Sequence, residues 1–211
     1  IYKDKENPAT EAELKKGEHR IVDCVDCHNR PSHQYPHPDR TLNESMATGR
    51  IDSSIPEIKK TALDVLEKTY TTKEDALQRI PTAITNFYDQ NHPEVMKNNR
   101  NKLMAAIDEI KAIYARSYFP EMKADWRVHP DNLDHMHNTG CFRCHDDKHV
   151  SDDGHVISKN CQNCHLIIAQ GKPGANSATT LTGQDFKHPM DIGEEWKVTP
   201  CKDCHGYQKS E

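Results

Sequence analysis

The sequence predicts a mainly α-helical chain with extensive coil, and three observations predict it. Only 34% of the 211 residues are hydrophobic and 6% aromatic; apolar residues recur at three- and four-residue steps through the middle; and all eight cysteines fall into Cys-x-x-Cys-His motifs. A folded chain of this size normally buries most of the surface its unfolded form exposes. Leu, Val and Phe are too few here to do so unaided, so another source of apolar volume is expected.

The formal charge is -5, with Lys, Arg, Asp and Glu interspersed. That argues against a nucleic-acid footprint and leaves no basic face for anionic lipid. No stretch approaches the roughly 20 apolar residues of a membrane span. The chain opens at Ile1 without a Met or a leader, as expected of a processed protein or a portion of a longer one.

Residues 1–50 form a first motif-bearing segment. The stretch 51–119 reads as a helical insert. Its first helix follows Ser54-Ile55-Pro56-Glu57, a capping box with Pro in the first turn, and places Ile58, Ala62, Val65 and Leu66 on one face. A second helix starts at Thr72, with Glu74 and Asp75 in its first turn, and is expected to kink or break around Pro81 before Ile84, Phe87 and Tyr88.

After His92-Pro93 the third is the most periodic: Met96, Leu103, Ile107, Ile110, Tyr114 and Tyr118 share a face, opposite Lys97, Lys102, Asp108 and Lys111. Met96 and Met104 are both expected in its core. An amphipathic bundle packed against the motif-bearing parts is the expected role of this insert. Beyond Phe119-Pro120 regularity fades, with turn signals at Asp152-Asp153-Gly154 and through 171–183. Strands are not expected to organise 120–211, and all three segments are expected to form one compact unit.

The motifs are Cys24-Val25-Asp26-Cys27-His28, Cys141-Phe142-Arg143-Cys144-His145, Cys161-Gln162-Asn163-Cys164-His165 and Cys201-Lys202-Asp203-Cys204-His205. Two thiols three apart on one turn can each form a thioether to a haem vinyl group, and the adjacent His then reaches the iron. Zinc ribbons also repeat Cys-x-x-Cys, but they do not require His after the second Cys every time. Disulfides within such short loops would be strained. Four haem c groups are therefore expected, with His28, His145, His165 and His205 as proximal ligands. They would supply the missing apolar volume, and the covalent attachment implies an extracytoplasmic, periplasmic or extracellular, location.

Ten histidines remain: His19, His33, His37, His92, His129, His135, His137, His149, His155 and His188. That surplus is most simply explained by sixth ligands, giving bis-His haems of low potential. The alternative ligands Met46, Met96, Met104, Met122, Met136 and Met190 have blander roles in packing or beside better histidines.

The run Cys24 to His33, the stretch Ile51-Asp52-Ser53-Ser54-Ile55-Pro56-Glu57-Ile58-Lys59, and the wording from Phe119-Pro120-Glu121-Met122 through Trp126, Asn132 and His135 to Gly140-Cys141-Phe142-Arg143-Cys144-His145-Asp146 resemble the C-terminal region of large NapC/NirT-type multihaem c-type cytochromes. The resemblance spans nearly the whole chain. It implies His33, His135, His149 and His188 as distal ligands; His33, five residues from His28, would serve a neighbouring haem. Relatives of this pattern carry a membrane anchor and further N-terminal haems, so the chain is expected to be the C-terminal portion of such a protein or a stand-alone secreted relative.

The function expected is electron transfer between respiratory redox partners, with no catalytic residue and no enzyme activity. Two rival readings are self-assembly into an extracellular cytochrome filament, in which a His of one subunit caps a haem of the next, and reduction of a small oxyanion at an open haem. All four proximal ligands being His argues against the second.

Overall fold

The computed structural model describes residues 1–19, 21–23, 34–131, 133–171 and 178–206, and is mainly helical with extensive coil. The first motif, Cys24, Cys27 and His28, and His33 lie outside the described residues. The chain divides into two compact units, one from 1–28 with 132–211 and one from 29–131. The insert expected over 51–119 lies wholly inside the second, which also takes in 34–50 and 120–131.

The second unit is a helical bundle. Its helices are α2 (Pro38–Ala47), α3 (Ile58–Leu66), α4 (Lys73–Asn91), α5 (Pro93–Asn98) and α6 (Arg100–Ser117). Helices α4 and α6 form the central pair, α3 packs on α4, and α2 packs on α3. The predicted face is the buried one: Leu103, Ile107, Ile110, Tyr114 and Tyr118 meet Ile80, Ile84 and Tyr88 in one hydrophobic core. Such burial contributes roughly 25 cal/mol per Å² of apolar surface, so this unit is held by its own side chains.

Four details of the insert differ from expectation. Ser54 does not cap α3: its N–H bonds to Asp52 Oδ1 at 2.9 Å, and Glu57 enters the helix in the left-handed region at φ 54° without a side-chain cap. The turn thereby buries Ile51 and Ile55, and the Tyr88 hydroxyl secures it by donating to the Pro56 carbonyl at 2.6 Å. Helix α4 begins where Thr72 predicted, capped through Asp75 N–H, but it runs unbroken through Pro81 because packing on both sides holds it. The third predicted helix is two, parted at Asn99, and while Met96 packs against the core, Met104 is exposed on the outer face.

The first unit has little regular structure. A two-stranded antiparallel ladder pairs β1 (Tyr2–Asp4) with β2 (His149–Ser151), three residues on each side, a pairing not foreseen from the sequence. Helix α1 (Glu11–Lys16) starts with a full capping box between Thr10 and Glu13. Two single turns, α7 (Glu195–Val198) and α8 (Cys201–His205), close the described chain. No described helix is long and apolar enough to cross a membrane.

Candidate functional site

Each described motif is folded as one helical turn, for a local reason. Gly140, at φ 48°, takes a left-handed conformation costly for other residues and starts the 3-10 turn Gly140–Arg143. Asn160 starts the turn Cys161–Asn163 by accepting from Gln162 N–H at 2.9 Å. Pro200 precedes α8, and its carbonyl accepts from Asp203 N–H at 2.9 Å.

In the first two turns the His N–H closes back on the carbonyl of the leading Cys, at 3.0 Å for His145 and 2.8 Å for His165. All three turns present their sulfurs alike. Cys141, Cys161 and Cys201 are half-buried, Cys144, Cys164 and Cys204 are exposed, and no disulfide joins any of the six. Burial, reinforced by Cys161 and Cys204, pushes the Cys201 thiol pKa up.

Several histidines are held by one ring nitrogen, the arrangement that frees the other for a metal. His145 Nδ1 lies 3.0 Å from the Ser158 carbonyl oxygen, which also accepts from Asn163 Nδ2 at 3.2 Å, joining the second motif to the third. His149 Nδ1 lies 2.9 Å from Asp146 Oδ1, and His188 Nδ1 lies 2.8 Å from the Met190 carbonyl oxygen. His137 Nδ1 lies 2.7 Å from Asp134 Oδ2. His137 was not among the expected ligands, and nothing in its spacing distinguishes it from its neighbour His135.

Two of the expected distal histidines stand opposite proximal ones. The His135 and His165 rings are 6.0 Å apart between centroids and inclined at 67°, and the His188 and His205 rings are 6.1 Å apart at 37°. Two imidazoles sharing one metal through bonds of about 2 Å have centroids roughly 6 Å apart. The spacing therefore fits an iron in each gap. His135 Nδ1 is moreover buried without a hydrogen-bond partner among the described residues. Burial holds the His135 pKa below its usual value against the pull of Asp134. Residues of separate motifs interlock around these pairs: Phe142 stacks on His135 at 4.6 Å. At Gly206, just after His205, a Cβ would sit 2.2 Å from the Lys202 carbonyl oxygen and 3.2 Å from that of His137, so the close approach there needs glycine.

The other histidines have local roles. His37 caps α2 and lies edge-on to Trp126 at 4.3 Å; His92 sits between Glu57 and Glu94; His129 stacks on Tyr35 at 5.2 Å; His19 Nε2 lies 2.8 Å from the Leu14 carbonyl oxygen; His155 is on the surface beside Asp153. Among the described residues no three His, Cys, Asp or Glu side chains converge as a zinc site would require. A porphyrin iron asks the protein only for an axial pair.

The chain is similar to the cytochrome c-type protein ImcH of Geobacter sulfurreducens, 42% identical over 204 residues. The match takes in 97% of this chain but 40% of that protein, so the chain spans about two-fifths of the length of the curated relative it matches. This likeness supports a c-type cytochrome with covalently held haem. No family model matches the chain, and no solved structure matches it.

Proposed function

We propose that the chain is a tetrahaem c-type cytochrome of the NapC/NirT-type C-terminal kind that relays electrons between redox partners outside the cytoplasm. The single observation that carries this is the repeated turn: each described Cys-x-x-Cys-His has a half-buried first Cys and an exposed second Cys, neither in a disulfide, and two of the three set their His opposite a second imidazole at about 6 Å. Cys24, Cys27, Cys141, Cys144, Cys161, Cys164, Cys201 and Cys204 would hold four haems by thioether bonds. His28, His145, His165 and His205 would be the proximal ligands, and His33, His135, His149 and His188 the distal ones.

Bound haem supplies a one-electron iron couple whose coordination stays the same in both oxidation states when both axial positions are imidazole. The protein's part is to fix the rings. Ser158, Asp146 and Met190 hold His145, His149 and His188 by Nδ1, which leaves Nε2 to carry the lone pair. Around the motifs, turns and loops leave apolar side chains such as Leu166 and Met190 exposed to receive the porphyrin faces.

The mass of the intact mature protein tests the reading: the amino-acid chain plus four haems is expected, and fewer than four overturns it. A ferrous sample exposed to carbon monoxide is expected to keep its spectrum, since no axial position is open. A strong response at one haem in four would favour the oxyanion-reductase reading.

A further inference from the structure

The two imidazole pairs are built differently, and the difference lies in what orients the distal ring. His188 is fixed by its own neighbourhood: Nδ1 lies 2.8 Å from the Met190 carbonyl oxygen, two residues along, and Phe186 stands edge-on to the ring at 6.5 Å. His135 has no such tether. Its Nδ1 is buried with no hydrogen-bond partner among the described residues, and its ring lies against Phe142, centroids 4.6 Å apart and planes within 24°. Phe142 belongs to a different motif from the His165 that His135 faces. A side chain from between Cys141 and Cys144 thus lies against a ring that faces His165, the histidine of the next motif.

We propose that His135 and His165 ligate the iron attached at Cys161 and Cys164, that His188 and His205 ligate the iron attached at Cys201 and Cys204, and that Phe142 is the positioning residue that holds His135 steeply across His165. The inference rests on the tetrahaem, bis-His reading above. The inclinations then have an electronic consequence. In low-spin ferric iron each imidazole π-bonds to the metal d orbital perpendicular to its ring plane. Rings near parallel act on the same orbital and split the pair, giving a rhombic paramagnetic resonance signal. Rings near perpendicular act on both alike and leave them close in energy, giving a signal dominated by one steep low-field feature. At 67° the His135–His165 iron leans to the second type, and at 37° the His188–His205 iron leans to the first.

The sequence alone had no access to this, because nothing in residue spacing says which distal His meets which iron, or that a variable residue inside one motif leans on the ligand of another. Stacked rings attract beyond what area burial alone provides, and rotation of a ring about a metal bond is soft, so the contact can set the ring's orientation.

The test is low-temperature electron paramagnetic resonance of the oxidised, fully loaded protein beside four variants, each with its haem count taken from the intact mass. The wild type is expected to show a steep low-field component and a rhombic one, each integrating to about one iron or more. His135→Met is expected to remove one iron's worth of the steep component and leave the rhombic one unchanged, and His188→Met the reverse. Phe142→Leu is expected to keep the steep component's intensity while moving it toward the rhombic position; Phe142→Tyr, which keeps the ring, is expected to leave it in place.

A variant isolated with three haems is read the same way, because peptide masses show which cysteine pair is bare and the missing signal is matched to it. If His135→Met leaves the steep component intact, or removes the signal of an iron attached elsewhere than Cys161 and Cys164, the pairing is wrong. A Phe142→Leu spectrum identical to wild type would overturn the positioning role. Absence of low-spin ferric haem from the wild type would instead sink the bis-His reading itself, and so the two failures are distinguishable.

Discussion

Ile80, Ile84, Leu103 and Ile110 of the bundle are completely buried, whereas Leu166, Leu181, Met190 and Val198 of the motif-bearing unit are 59–86% exposed. Val150 is the single buried hydrophobic side chain of that unit among the described residues. One chain therefore contains two solutions to the same shortage of apolar residues. Between α2 and α6 nearly every large aliphatic residue is spent on a side-chain core; around the motifs most large aliphatic residues are left exposed or half-buried. The lesson is that average composition misleads here. The chain-wide figure of 34% hydrophobic residues hides an uneven distribution: the bundle buries its large apolar side chains and the motif-bearing unit leaves most of its own exposed.

The largest effect should come from withholding haem. In a chain whose motif cysteines are replaced by alanine, amide hydrogen exchange is expected to become nearly unprotected across 133–171 and 178–206, while the bundle helices keep their protection. Persisting protection around the motifs would break the contrast. Next, Leu103→Ala in the mature protein is expected to destabilise the bundle by about 2–5 kcal/mol, because a fully buried side chain leaves a cavity. Thermal unfolding would read it, and the haem absorption below the transition should not change.

Tyr88→Phe should cost the bundle about 1 kcal/mol, since the Pro56 carbonyl loses the hydroxyl that donates to it at 2.6 Å. Acid provides a comparable probe. Burial alone would raise the pKa of Glu109, but the Ser45 hydroxyl at 2.7 Å, Arg116 at 3.1 Å and Arg50 at 3.4 Å together hold it below the usual carboxylate value. A depressed pKa contributes stability that is present above the unfolded carboxylate's pKa and is lost as pH falls through the folded one. Glu109→Gln is therefore expected to flatten the acid limb of a stability profile by on the order of 1 kcal/mol. The smallest effect belongs to the exposed Asp75–Arg79 pair, whose removal should change stability by only a few tenths of a kcal/mol.

The bundle's faces were legible because period 3.6 survives any tertiary arrangement: Leu103, Ile107, Ile110 and Tyr114 could be placed from spacing alone. Its punctuation was less so. Ser54-Ile55-Pro56-Glu57 has the letters of a capping box, yet the neighbouring Asp52 competes for the Ser54 N–H and burial of Ile55 decides the turn. Pro81 costs α4 a hydrogen bond, and packing of Ile80 and Ile84 outweighs it. At the motifs, residue types and the turn were legible from Cys-x-x-Cys-His itself. The partner of each imidazole was not, because His135 and His165 are brought together by loops that carry no periodic signal. Nor was the β1–β2 ladder, three residues on each side with only Val150 buried.

That ladder has a consequence for biogenesis. Tyr2 is aligned with Ser151 and Asp4 with His149, so the motif-bearing unit is made of two lengths of chain that enclose the whole bundle in sequence. During synthesis or export the bundle is contiguous and can close as soon as α6 emerges, with local contacts that form fast. The strand at Tyr2 must wait for residue 151. Maturation is thus ordered by the covalent chain: the bundle can close first, while the Tyr2 strand stays unpaired until residue 151 has followed it.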